Sequence, residues 1–386
     1  MDALDRMGFA ISDEDRALRD TLLRFGAERL APGAAERDRT HAFPVAEIDE
    51  LAALGGMAMK TAAEDGGPGI SNTGYALSIE ALSRFDASVA VVAVASNLAA
   101  AILANHARGA QRDRLVRPAA EGAFGALSFA LTEPGAGSDA AGIATTARRD
   151  GDGWTLNGSK QWITGASHAR MVVLFAKTPD VSPGAITCFA VPTDRPGFSL
   201  GRVEDKMGLT SSGTAQLNFD NVALTDDDVI GTPGQGMRVA LSAIAPSRIA
   251  IAAQSIGIAE RAFELGRDYA RERQAFGQPV AAFQNSRFVL ADARTRLDQA
   301  WLLMLRGATL LDRGIEIREE ASMAKLAASE TCGWVVDAML QLHGGNGYSR
   351  EYEIERLYRD ARVMRIFEGT SEIQREVIAR AVVGRL

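Results

Sequence analysis

The spacing of apolar residues changes character twice along the chain. Over residues 12–121 they recur at helical intervals, and Ser12 with Asp15, Leu18, Leu22 and Phe25 predicts an N-capped amphipathic helix. A Gly/Pro-rich break, EDGGPGISNTG (residues 64–74), precedes YALSIEALSRFDASVAVVAVASNLAAAILANH, which predicts buried helices separated near Asp86. Between about residues 126 and 231 the period changes. GWTLNGSKQWITGA, MVVLFAK, AITCFAVP and TAQLNFDNVAL are short β-branched or aromatic runs that predict strands, with turns expected at Asp152-Gly153 and Asn157-Gly158. From about residue 236 long helical patterns return. There Met323, Ala327, Thr331, Trp334 or Val335, Met339 and Leu342 are expected on one stripe that Gly344-Gly345 terminates. The expected class is α+β and mostly α: an N-terminal helical domain over residues 1–121, a middle β-domain over 122–233 and a C-terminal helical bundle over 234–386.

Composition narrows the function classes. A chain of 386 residues supports a large core, and a formal net charge of -7 argues against a broad nucleic-acid face. Cys188 and Cys332 lie far apart and form neither a disulfide framework nor a metal-ligand spacing. No apolar run is read as approaching the ~20 residues that span a bilayer, and the N-terminus is acidic and mixed, unlike a targeting peptide. The expectation is a cytoplasmic protein without membrane insertion, metal or nucleic-acid partner.

Five motifs carry candidate chemistry. ALSFALTEPGAGSDAAG (residues 126–142) has small residues at Gly135, Ala136 and Gly137 that admit a ligand to the backbone, with hydroxyls on Thr132 and Ser138. It lacks the context of a dinucleotide fingerprint or a P-loop, and a plain strand connection is its alternative. In KQWITGA (residues 160–166) Trp162 reads either as a core aromatic or as a stacking face for a planar heterocycle beside Thr164. RERQAFGQPVAAFQNSRF (residues 271–288) joins basic residues to Phe276 and Gly277 at a helix-to-helix turn. QLHGGNGYSREYEIERLYRDARV (residues 341–363) sets a Gly-Gly turn beside Gln341 and several arginines, a pattern suited to a diphosphate, with His343 read as structural. RIFEGTSEIQRE (residues 365–376) places one acid, Glu368, between Phe367 and Gly369. That acid is either a solvated helix-start side chain or a carboxylate held in an apolar spot for proton chemistry.

In this order LTEPGAGSD, QWITGA, RxxxF-G, QLHGGNGY and IFEGTSEIQ resemble the acyl-CoA dehydrogenase flavoproteins over essentially the whole chain, most closely the short-chain and short-branched-chain members. The resemblance implies a helical domain, a β-domain and a C-terminal four-helix bundle, assembled as a homotetramer with FAD in each subunit. It implies a flavin ring against Phe129, Leu131, Thr132, Trp162, Ile163 and Thr164, with Gly137 and Ser138 as pyrophosphate or substrate contacts. Arg273, Phe276, Gln341, Gly344 and Gly345 are similar to residues that reach the FAD of a neighbouring subunit, and Thr370 and Glu372 to residues that touch the cofactor again. Arg248 is implied near substrate and flavin, and Arg380 at the CoA.

The implied reaction is α,β-dehydrogenation of an acyl-CoA thioester: Glu368 takes the α-proton, a hydride passes from Cβ to flavin N5, and an electron-transfer flavoprotein accepts the electrons. A carboxylate beside apolar Ile366 and Phe367 is expected to have a raised pKa, which suits a base near neutral pH. Some relatives carry the base immediately before the arginine matched by Arg248. Ser247 stands there, which leaves Glu368, and Ala245-Pro246-Ser247 departs from the usual run at that edge. The alternatives are an acyl-CoA oxidase or specialised desaturase on the same fold, and a flavin-free scaffold or binding protein.

Overall fold

The computed structural model describes residues 7–384. The helices α1 (Asp13–Phe25), α2 (Ala31–Thr40), α3 (Val45–Ala53), α4 (Asn72–Ser83), α5 (Ala87–His106) and α6 (Arg117–Ala120) come first. They lead into strands β1 (Leu127–Ala130), β2 (Thr146–Asp150), β3 (Gly153–Ile163), β4 (Met171–Lys177), β5 (Ile186–Pro192), β6 (Phe198–Val203), β7 (Ala215–Thr225) and β8 (Val229–Ile230). Helix α7 (Gly236–Glu272) follows, then the small hairpin β9 (Gln274–Ala275) and β10 (Gln278–Pro279). Last come α8 (Gln284–Asp312), α9 (Glu319–His343), α10 (Glu353–Ala361) and α11 (Ser371–Val383).

Local chemistry accounts for the boundaries. Ser12 caps α1 by accepting from the Asp15 amide, as its sequence predicts, and Asp86 caps α5 by accepting from the amides of Ser88 and Val89. Ser71 does the same for α4 through the Gly74 amide. Helix α5 is apolar all round and is therefore buried rather than amphipathic. At 20 residues it is long and apolar enough to cross a membrane, which corrects the expectation that no run reaches that length, and here it is a core helix.

The sheet runs β6-β7-β3-β2-β4-β5-β8, with β1 pairing β4 in parallel. Strand β4 explains why MVVLFAK reads as one continuous apolar run: both of its faces are covered. Met171, Val173 and Phe175 pack with Ile102 and Leu103 of α5, whereas Val172, Leu174 and Ala176 pack with Trp154 and Phe189 inside the β-domain. The period-two alternation of one strand thus joins the sheet to the N-terminal helices. In the C-terminal region α7 packs against α9, α8, α4 and α5. Its contact with α4 is close, since a Cβ on Gly257 would lie 2.3 Å from the Glu80 carbonyl oxygen.

Three local expectations change. Asn157-Gly158 is not a turn but lies within β3, where the register against β7 slips between Leu156 and Gly158. Gly158 takes φ 139°, and a Cβ there would meet the Thr145 hydroxyl at 2.6 Å, so the glycine permits a bulge. The turn expected at Asp152-Gly153 forms one residue earlier, at Gly151-Asp152, with Gly153 already paired in β3. On α9 the buried stripe includes Thr331, Val335 and Met339 as expected, but Met323 and Ala327 are only partly buried, and Ala324, Lys325, Ala328 and Cys332 take the inner positions. A buried lysine disguises the face.

Candidate active site

Glu368 sits on the short loop between α10 and α11 with φ 53°, followed by Gly369 at φ 90°. A left-handed glutamate is uncommon and marks a backbone held by its surroundings. Phe367 packs on the main core, while Ile366, expected to share the apolar wall, is half exposed. Around the carboxylate stand Arg248 of α7, Lys325 of α9 and Tyr75 of α4. Desolvation raises the Glu368 pKa to about 6 against the opposing pull of Arg248 and Lys325. The same burial, with the Glu368 charge beside it, pushes the Tyr75 phenol up. Arg248 donates to the Ser322 hydroxyl at 3.0 Å, and its Nε has no partner among the described residues.

A cavity opens between α4, α5 and α7, lined by Tyr75, whose phenol feels the Glu368 charge, and by Leu98, Ala101, Pro246 and Ser247 together with Lys60. The Ser247 hydroxyl is buried without a partner among the described residues, and this residue, which stands at the alternative base position, forms part of the cavity wall. Pro246 lies inside α7, where it cannot donate to the helix ladder.

The structure brings the two β-domain motifs together. The Gln161 amide donates to the Thr132 carbonyl at 3.0 Å, and the Ser128 hydroxyl donates to the Thr164 carbonyl at 2.8 Å. Trp162 takes φ 62° at a second slip in β3 and is 54% exposed, which excludes the core-aromatic alternative. A bulge turns its side chain out of the sheet alternation. Phe129 and Thr132 are half-buried beside it, Leu131 is buried, and Ile163 is 2% exposed, so Ile163 contributes backbone rather than side chain at that surface. Gly137 and Ser138 are exposed, and a Cβ on Gly137 would meet nothing. An exposed ring on a bulged strand, beside an apolar patch and two threonine hydroxyls, fits a flat, hydrogen-bonding ring system such as the flavin of FAD.

Sequence reading missed the ion pair beneath this patch. Lys160 is fully buried and donates to the Glu133 carboxylate at 2.7 Å and to the Leu131 carbonyl at 3.0 Å. Glu133 also accepts from the amides of Ala144 and Thr145. Glu133 lies inside the LTEPGAGSD motif, yet its inward aim is set by where Lys160 emerges from β3. Tyr75 and Lys325 were missed as well, because each comes from a distant helix, and Gln374, although inside RIFEGTSEIQRE, was missed because its aim back at the loop carbonyls is set only by the folded turn.

A second group lies elsewhere. The β9–β10 hairpin carries Phe276 at φ 52° and Gly277 at φ 76°, and Phe276 is 96% exposed. Arg273 is exposed at the hairpin base. Gln341, Gly344 and Gly345 are exposed at the end of α9, tied to α7 by the Asn346 amide donating to the Tyr269 hydroxyl. His343 is structural: its Nδ1 lies 2.8 Å from the Met339 carbonyl and its ring stacks on Tyr269. Gly344 lies nineteen positions beyond Lys325, which is beside the Glu368 loop, a span of about 28 Å at 1.5 Å per step. One chain does not bring Arg273, Phe276, Gln341, Gly344 and Gly345 to Glu368. Thr370 caps α11 through the Ile373 amide, Glu372 is exposed on its first turn, and Arg380 pairs with Glu376.

Comparisons with known proteins place the chain. Family models for the acyl-CoA dehydrogenase N-terminal, middle and C-terminal domains match residues 12–123, 128–222 and 234–383. The mitochondrial short-chain specific acyl-CoA dehydrogenase of Bos taurus is 41% identical, over 96% of this chain and 90% of that protein. The 3-(aryl)acrylate reductase of Clostridium sporogenes is 39% identical, over 95% and 98%. Butyryl-CoA dehydrogenase from Megasphaera elsdenii superposes with a TM-score of 0.94 at 35% identity, covering 97% and 99%. A solved structure described as the electron transferring flavoprotein of Acidaminococcus fermentans gives 0.95 at 34% identity, covering 98% and 100%. With this site on this fold, the chain belongs to the acyl-CoA dehydrogenase family and is a FAD-dependent oxidoreductase.

Proposed function

We propose that this protein catalyses α,β-dehydrogenation of a short acyl-CoA thioester, with Glu368 as the base that removes the α-proton. The observation that carries the reading is one desolvated carboxylate, on a left-handed loop, next to Tyr75, which lines a cavity between helices. At pH 7 an acid with a pKa of about 6 is mostly ionised and still basic enough to accept a proton from a carbon acid. Bound FAD supplies the hydride acceptor in this chemistry. Phe129, Leu131, Thr132, Trp162 and Thr164 would hold the ring. Ser138 and Arg248 would meet the substrate. The Glu368 carboxylate keeps the abstracted proton, and Tyr75, Leu98 and Pro246 exclude water from the acyl chain.

Arg273, Phe276, Gln341, Gly344 and Gly345 serve the FAD of a second subunit in this reading. Support comes from their exposure and their distance from the Glu368 loop, and the assembly proposed with it is a homotetramer. An electron-transfer flavoprotein fits as acceptor because the family pairs with one. Glu368→Gln, loaded with FAD and mixed anaerobically with butyryl-CoA, should bleach the flavin about a thousand-fold more slowly at unchanged FAD content. Bleaching within tenfold of the parent would sink the assignment.

A further inference from the structure

The Glu368 loop is held by two side chains, Lys325, which lies outside every motif, and Gln374, which closes the IFEGTSEIQ motif without being singled out by it. Lys325 is fully buried on α9 and donates to the Gly369 carbonyl at 2.8 Å. Gln374 is fully buried on α11, and its amide donates to the carbonyls of Glu368 at 3.1 Å and Gly369 at 2.9 Å. Two helices thus hold the carbonyls of two successive left-handed residues. Burying an ammonium is costly, and the helix ladder already satisfies α9 without it. Lys325 also forms no ion pair among the described residues, so its contribution is to the loop rather than to packing.

Resting on the reading of Glu368 as base, we propose that Lys325 and Gln374 are positioning residues: they fix the backbone turn from which the Glu368 carboxylate projects, and the Lys325 charge favours its ionised form. The clamp works by geometry. With both carbonyls held, the Glu368 backbone cannot relax to negative φ, and the carboxylate stays aimed between α4, α7 and α9. The charges facing it are Arg248 from α7 and Lys325 from α9, with Tyr75 from α4. Glu330 on α9 and Glu372 on α11 act on Lys325, and Arg318 acts on Arg248. Burial lowers the Lys325 pKa to about 8, so its charge is present where the base is expected to work.

The test uses FAD-loaded protein, butyryl-CoA as reductant and crotonyl-CoA as a binding probe. Lys325→Met should slow flavin reduction about tenfold to a hundredfold at pH 7.5, leave crotonyl-CoA affinity within about twofold, and move the acid limb of the pH–rate profile up by about one unit. Lys325→Arg should return the limb toward the parent. Gln374→Leu removes half of the clamp without a charge, so it should slow reduction while the limb stays in place; it also decides the question if Lys325→Met fails to fold. Parent-like rates and an unmoved limb in the folded variants would overturn the proposal. Glu368→Gln run alongside separates the two failures: if it bleaches normally, the base assignment itself is wrong.

Discussion

Removing the ammonium of Lys160 tests how the loop at the proposed ring site is built. Lys160→Met keeps the length of the side chain, so little cavity is left, and the change is electrostatic. The fully buried amine supplies two hydrogen bonds, to Glu133 and to the Leu131 carbonyl. Stripping one partner from a buried ion pair costs about 3–5 kcal/mol. Glu133 keeps two backbone amide donors, from Ala144 and Thr145, so part of its charge stays satisfied and the low end, about 3 kcal/mol, is expected. The loss should appear as a lower urea midpoint at unchanged slope. It should be accompanied by a fall in the flavin-to-protein absorbance ratio after gel filtration, because Leu131 and Thr132 line the proposed ring site. Adding Glu133→Gln removes the stranded charge and should recover more than half of the loss. A loss under about 1 kcal/mol with full flavin retention would show that the pair neither stabilises nor positions the loop.

Three further outcomes are expected. Flavin reduction by butyryl-CoA should fall about tenfold for each pH unit below 6, because Glu368, with its pKa raised to about 6, is then protonated and cannot accept the α-proton; a flat profile between pH 5 and 7 in stopped-flow would contradict it. Arg273→Ala should cost flavin retention or tetramer assembly on dilution, read by mass photometry, and parent-like behaviour in both would remove the cross-subunit role. Gly208→Ala puts a Cβ 2.4 Å from the Arg359 backbone, where α10 docks on the β6–β7 connection, and should destabilise by about 1–3 kcal/mol in urea; an unchanged midpoint would show that this junction yields freely.

The periodicity of the chain determined the order of helices, sheet and helices, because apolar spacing is a local property that burial must respect. It determined the α1 cap at Ser12, a helix break near Asp86 and the strand β4, whereas the structure showed that Asp86 caps α5 and that both faces of β4 are covered. Sequence order alone also singled out Glu368, Trp162 and the Gly344-Gly345 turn. It could not say which way Trp162 faces, since a β-bulge depends on the neighbouring strand, or that Asn157-Gly158 lies inside β3 where Thr145 crosses. Nor could it reveal Lys325, Gln374 and Tyr75 around Glu368, or Lys160 under Leu131. Apart from Gln374, six positions from Glu368, these contacts join residues dozens to hundreds of positions apart, and only the packing of α4 and α9 around the Glu368 loop, and of β3 under the Leu131 segment, brings them within hydrogen-bonding or electrostatic reach. The sequence therefore names the proposed base and the segments proposed to bind the ring. The tertiary structure decides the acid's pKa and aim, because desolvation and the placement of opposing charges are properties of the packed interior rather than of the chain.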